Sequence, residues 1–238
     1  MTQGKPDSAD LHPGPGFRIR TEVKRHDAAL IERLAAFETP VISDTLNRLY
    51  AFDFEIRCLT EASKLAGSIC TVRVFPGDNL MVHKALDVAA PDDVIVISAG
   101  GGGGSPNAII GDRVCAKAKH RGIRGFVVDG LIRDLPGVLP LGMPVYARGT
   151  TTIGPLHRGP GEINYPIACG GTVTNPGDVL VADEAGIVVV PHAHVDEIVL
   201  RLEGAAPAME KYEAALARGE FSTTWVDTLL GEARCPID

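Results

Sequence analysis

The chain of 238 residues carries 23 Lys and Arg against 30 Asp and Glu, a formal charge of −7, with 45% hydrophobic and 22% charged residues. That length can bury a sizeable core, and the negative balance argues against a dedicated nucleic-acid or anionic-membrane binder, which needs a basic face. No stretch approaches the roughly 20 continuous apolar residues of a membrane span.

The first 25 residues, rich in Pro, Gly and polar side chains, read as a mobile arm, and 26–238 as a single domain. The arm lacks the apolar centre of a secretory signal, and the scattered cysteines fit a cytoplasmic protein. AALIERLAAFETPVISDTLNRLY reads as two helical pieces, the second started by Thr39 as cap and Pro40 at the first helical position. LAGSICTVRVF alternates and is rich in β-branched residues, as a strand is. Leu80 to Ala90 reads as helix, DDVIVISAG as a short buried strand, Asp112 to Arg121 as helix ending at Gly122, and GFVVDG as the next strand.

The second half is more β-like. MPVYARG is followed by GTVTNPGDVLVADEAGIVVVP, in which Asn175-Pro176-Gly177-Asp178 is a turn between strands. Beyond Pro191 the chain reads as helix interrupted near Gly204 and Pro207. Alternating helices and strands with short connections imply an α/β fold.

Five cysteines, Cys58, Cys70, Cys115, Cys169 and Cys235, are scattered and never spaced CxxC. They read as reduced thiols, without a disulfide frame or zinc site. His192 and His194 form an HxH pair without a third ligand nearby, which reads as a solvated helix start. Trp225 reads as a packing or interface residue.

Gly100 to Gly104 form an unbroken glycine run. It is either an anion cradle, since backbone amides can approach a ligand closely there, or a flexible surface loop. It is not a dinucleotide fingerprint, because no acidic residue ends a second strand at the required place, and GxxxxGK[ST] is absent. The helix that follows starts either at Ser105-Pro106 or at Gly111-Asp112. Only the second start leaves amides around Gly111 to Val114 free for a carboxylate.

Asp112 is followed, after a gap of twenty residues, by the adjacent pair Arg133-Asp134. An arginine fork suits the oxygens of a 2-oxo acid, and a carboxylate suits a hard divalent cation. As an isolated dipeptide, Arg-Asp is commonly a closed surface turn. Here its flanks, GDRVCAKAKHRGIRGFVVDGLIRD, together with PVISDTLNRL, VYARGTTTIGPLHRGPGEINYPIACGG and NPGDVLVADEAGIVVVP, extend the pattern from about Thr39 to Glu220. In this the chain resembles the class II pyruvate aldolases that cleave 4-hydroxy-4-methyl-2-oxoglutarate, relatives of the regulator of RNase E activity.

The resemblance implies a compact α/β sandwich with a β-barrel-like core, assembled as a trimer or a hexamer with sites between subunits. It implies that Asp134 binds Mg²⁺ or Mn²⁺ and that Asp112 supports the ion through water. Arg133 would contact the C2 oxygen of the pyruvyl unit, and backbone at Gly111, Asp112, Arg113 and Val114 its carboxylate. A glutamate of a neighbouring subunit would complete the site, Glu210 by alignment or else Glu213. The reaction implied is retro-aldol cleavage of a 4-hydroxy-2-oxo acid to pyruvate, with oxaloacetate decarboxylation through the same enolate. A water or hydroxide positioned by Asp112 would take the hydroxyl proton. No lysine lies in this constellation, which disfavours a Schiff-base aldolase.

Arg113 and Val114 stand where two aliphatic residues are expected, and the charged Arg113 departs from that pattern, as do the segments before Thr39 and after Glu220. The competing reading is a non-catalytic regulator that binds a ribonuclease. Retention of Asp134 favours the enzyme.

Overall fold

The computed structural model describes residues 10–100 and 104–236; Gly101, Gly102 and Gly103 of the glycine run lie outside them. The chain divides into two compact units, Met1–Val199 and Leu200–Asp238, where the sequence reading carries one domain through 26–238.

In chain order, β1 (Phe17–Ile19) precedes α1 (Ala28–Ala35), α2 (Thr39–Thr45) and the two-residue β2 (Arg57–Cys58). The central run is β3 (Leu65–Val74), α3 (Leu80–Val88), β4 (Val94–Ser98), β5 (Ala108–Ile110), α4 (Asp112–His120), β6 (Gly125–Ile132), α5 (Leu135–Val138) and β7 (Val145–Thr150). There follow β8 (Gly161–Ile163), β9 (Ile167–Cys169), β10 (Thr172–Thr174), β11 (Val179–Asp183), β12 (Gly186–Val190), α6 (Val195–Ala217) and α7 (Thr224–Glu232).

The main sheet runs β1-β8-β3-β4-β6-β7-β2, with β11 and β12 added at β3 and β5 at β6. Neighbours β3, β4, β6 and β7 are parallel, and helices carry the crossovers between them. Strand periodicity explains the two cores. Ile95 and Ile97 of β4, with Phe126 and Val128 of β6, face a cluster that includes Met81, Val82 and Ala85 of α3 and Cys115 and Ala118 of α4. Val94, Val96 and Val127 point the other way, toward Ile167, Leu180, Ile187 and Val189. The result is a mixed α/β architecture with helices on one face and a second strand layer on the other. Among the described residues the pairings leave an open path and do not close a barrel.

Three local features depart from the sequence reading. The stretch read as a mobile arm contributes β1, which pairs in parallel with β8 from Phe17↔Gly161 to Ile19↔Ile163. Its anchor is a distant buried carboxylate: Glu162 accepts from Gly16 N at 3.0 Å and Arg18 Nε at 2.7 Å. Second, α2 is capped by Glu38, so Pro40 falls one position later than expected. The Thr39 hydroxyl and amide both donate to Asp183, at 2.6 and 2.8 Å, instead of serving the helix. Third, α6 continues through Gly204 and Pro207. A helix-interior proline costs about 3 kcal/mol; here Ala205, Ala206 and Ala208, the best helix formers, flank it. Among the described residues, no helix is long and apolar enough to cross a membrane.

Candidate functional site

Of the two possible helix starts, the chain uses the second. Ser105 to Asn107 form a local turn in which the Ser105 hydroxyl donates to Asn107 Oδ1 at 2.6 Å. Residues Ala108–Ile110 are strand, and α4 begins at Asp112 with Gly111 as its cap. A helix leaves its first amides without intrahelical acceptors. Arg113 N is taken by Asp112 Oδ1 at 2.6 Å, and Val114 N by Gly111 O at 3.1 Å. Of the four amides from Gly111 to Val114, those of Gly111 and Asp112 meet no acceptor among the described residues.

Strand β6 ends at Ile132, and Arg133 N donates to Ile110 O at 3.0 Å, which ties the strand end to the residue before Gly111. Arg133 and Asp134 thus emerge beside the N-terminus of α4, beyond the carboxyl ends of parallel strands, where ligands of α/β folds commonly sit. Asp134 has φ 57° and ψ 35°, the left-handed conformation, and caps α5. That conformation is uncommon for a non-glycine residue and aspartate is among its more tolerant occupants. Its Oδ2 lies 3.2 Å from Arg133 Nε, with both side chains roughly half exposed.

Glycines make room for these groups. A Cβ on Gly111 would stand 2.8 Å from Asp134 Oδ2 and 3.1 Å from Arg133 Cγ. One on Gly137 would stand 2.9 Å from Asp112 Oδ2, and one on Gly154 2.7 Å from Arg133 Nη1. All three sequence-derived residues line a single cleft of about 250 Å³, together with Gly111, Arg113 and Val114.

Asn79, His83, Lys117 and His157 also line this cleft, and sequence reasoning missed them. Asn79 is 2% exposed; its Nδ2 donates to Ile109 O at 2.9 Å and its Oδ1 lies 2.6 Å from His157 Nδ1. The His83 and His157 rings meet edge to face at 5.6 Å. Burial, then the positive charge of Lys117 and the proximity of His157, hold His83 below the ordinary histidine pKa. The one available signal was Asp78-Asn79 ahead of the α3 pattern, a helix-start signature: Leu80 N does donate to Asp78 Oδ1, at 2.8 Å.

The carboxylates of Asp112 and Asp134 are the cleft's candidate metal ligands. Among the described residues no group of three His, Cys, Asp or Glu could hold an ion. Two carboxylates nonetheless fit Mg²⁺, which is commonly bound through one or two of them with water completing the octahedron. Glu210 and Glu213 lie on α6, in the second unit, and both are exposed. His192, expected to be solvated, stacks on His26 at 4.1 Å with its Nδ1 3.1 Å from Gly177 O, whereas His194 is exposed. Trp225 is 64% exposed on α7.

The α/β fold thus gathers two acids and an arginine where the end of β6 meets the start of α4. The profile of the RraA-like Aldolase/RraA family matches residues 39–189, and the chain belongs to that family. It is 40% identical over 187 residues to a Halalkalibacterium halodurans protein named "Putative 4-hydroxy-4-methyl-2-oxoglutarate aldolase", covering 79% of this chain and 88% of the relative. Streptomyces coelicolor RraAS2, described as an unusual member of the RNase ES inhibitor RraA protein family, superposes with a TM-score of 0.70 at 30% identity, covering 82% of this chain and 98% of that one. An uncharacterized protein of Pseudomonas syringae superposes with a TM-score of 0.73 at 25% identity, covering 84% and 93%.

Proposed function

We propose that the chain is a divalent-metal-dependent lyase that cleaves 4-hydroxy-4-methyl-2-oxoglutarate, or a related 4-hydroxy-2-oxo acid, to pyruvate and a carbonyl product. The observation that carries this reading is the convergence of Asp112, Arg133 and Asp134 on one cleft beside the amides of Gly111 and Asp112. The aldolase name of the relative at 40% identity supports it.

Asp134, supported by Asp112, would hold Mg²⁺ or Mn²⁺, which supplies Lewis acidity at the C2 oxygen when bound. Arg133 donates to that same oxygen as negative charge develops on it, and such preorganised electrostatics is usually the largest contribution to catalysis. The Gly111 and Asp112 amides, at the positive end of α4, receive the substrate's C1 carboxylate. Arg113, Lys117 and Arg133 together outnumber the two carboxylates and draw an anionic substrate into the cleft. Oxaloacetate, whose decarboxylation yields the same enolate, is the expected second substrate. In this reading the protein works as a trimer or hexamer in which Glu210 reaches a neighbour's cleft.

The test is pyruvate release from 4-hydroxy-4-methyl-2-oxoglutarate and from oxaloacetate, with Mg²⁺, with EDTA, and with Asp134→Asn. Metal-dependent release from both substrates, lost in the variant, is the expected result. No release from either by folded, metal-supplied protein would sink the lyase reading and favour a ribonuclease-binding protein.

A further inference from the structure

Residues 156–158 are pinned to the start of α3 more firmly than a surface connection requires. Leu156 N donates to Gly77 O at 2.8 Å, Asn79 N donates to Leu156 O at 3.0 Å, and Arg158 N donates to Asp78 Oδ2 at 2.5 Å. Asp78 and Asn79 are each 2% exposed, so a buried pair clamps the loop that carries His157.

The clamp also sets the tautomer. The Asn79 amide donates to Ile109 O, which orients its Oδ1 toward His157 Nδ1 as an acceptor and nothing else. In the neutral ring, the proton of His157 therefore sits on Nδ1 and Nε2 holds the lone pair. Among the described residues, Nε2 makes no hydrogen bond. His157 lines the same cleft as Asp112, Arg133 and Asp134, and Gly154, three residues before it, lies against Arg133 Nη1. Asp112 is worse placed for proton transfer, with Oδ1 engaged by Arg113 N and Oδ2 packed toward Gly137.

On the lyase reading above, we propose that His157 is the general base of the cleavage, a role the sequence reading gave to water held by Asp112. Nε2 takes the C4 hydroxyl proton. The electrons of that O–H bond become the second bond of the product carbonyl, and the C3–C4 bond breaks. Its electron pair forms the C2–C3 double bond of pyruvate enolate, whose charge rests on the C2 oxygen facing Arg133. The imidazolium gives that proton to water, and the enolate takes one from water at C3 to become pyruvate, so no proton is gained or lost overall.

Two reactions of one cleft separate this role from mere shaping of the site. Oxaloacetate loses CO₂ to give the same enolate without any C4 hydroxyl proton. In full-length Mg²⁺-supplied protein, His157→Gln is expected to lower kcat for 4-hydroxy-4-methyl-2-oxoglutarate about 100-fold or more, the usual worth of a general base. Oxaloacetate decarboxylation should change less than about 3-fold on the same argument, and its retention certifies the fold. Equal losses in both reactions, or none in either, would overturn the assignment. Wild-type protein inert toward both would remove the lyase reading itself, and this role with it. Long-range proton–nitrogen spectra of the free protein supply a readout that needs no turnover: the Nδ1-protonated tautomer is expected, and an Nε2-protonated His157 would contradict the assignment.

Discussion

The carboxylate of Asp134 occupies the space into which a side chain on Gly111 would grow, 2.8 Å from the position of its Cβ. Gly111 has φ −152°, so an alanine there meets no backbone strain, only crowding. Gly111→Ala should push Asp134 and Arg133 out of register. On the lyase reading proposed above, pyruvate release should fall at least roughly 100-fold, as misplacements of about 1 Å commonly cause, while the thermal midpoint moves little. Parallel loss of fold and activity on circular dichroism would contradict that account.

Arg148 joins three separate acids. Its Nε lies 2.6 Å from Asp129 Oδ1, Nη1 2.6 Å from Glu55 Oε2 and Nη2 2.9 Å from Asp53 Oδ2. The Asp129 side chain is 6% exposed and that of Arg148 11%. Arg148→Met strands a buried carboxylate, which typically costs 3–5 kcal/mol, so about that loss is expected from urea unfolding. Asp129→Asn in the same background should recover part of it, because the charge then no longer needs a partner.

Thr39 and Asp183 are held together by two hydrogen bonds across 144 residues of sequence. Burial works to raise the Asp183 pKa, but the Thr39 hydroxyl and the amides of Thr39, Ala185 and Gly186 outweigh it and hold the carboxyl below its ordinary range. Thr39→Val keeps the shape and removes the hydroxyl donor. Asp183 is half-buried and keeps the amides of Thr39 and Ala185, so a destabilisation of about 0.5–1.5 kcal/mol, the net worth of one hydrogen bond, is expected in denaturant titrations.

Acid should weaken the hold of Glu162 on the N-terminal strand. Burial acts to raise the Glu162 pKa, yet the Gly16 amide and the Arg18 and Arg73 guanidiniums prevail, and the carboxyl titrates below the ordinary 4.5. A depressed folded-state pKa contributes stability that is fully present above the unfolded value and is lost as pH falls through the folded one. Stability should therefore decline from about pH 5 downward by linkage. Glu162→Gln should flatten that slope while lowering stability at neutral pH. An unchanged acid slope in the variant would assign the effect to other carboxylates.

What the sequence made legible was local. Asp112, Arg133 and Asp134 belong to one helix–strand crossover, where a parallel return brings the strand end beside the helix start. Their spacing therefore carries spatial meaning. Asn79 and His157 meet only because Leu156 pairs with the chain before α3. No periodicity within either segment announces that meeting. Likewise β1 is three residues long and leans on Glu162, so composition alone makes it look like loose chain. In α6, Pro207 reads as a stop, and nothing in a window of that length shows that the helix continues.

The cysteines, read as a negative result for disulfides and zinc, turn the molecule into its own opening gauge. Burial pushes the thiols of Cys70 and Cys115 up to about 12, and Cys169 is fully enclosed, whereas Cys235 is exposed. An alkylating reagent at neutral pH should mark Cys235 at once and reach the enclosed thiols only when the chain breathes. Cys115 sits on α4, three residues past Asp112, so its labelling rate times the loosening of the helix on which the cleft is built.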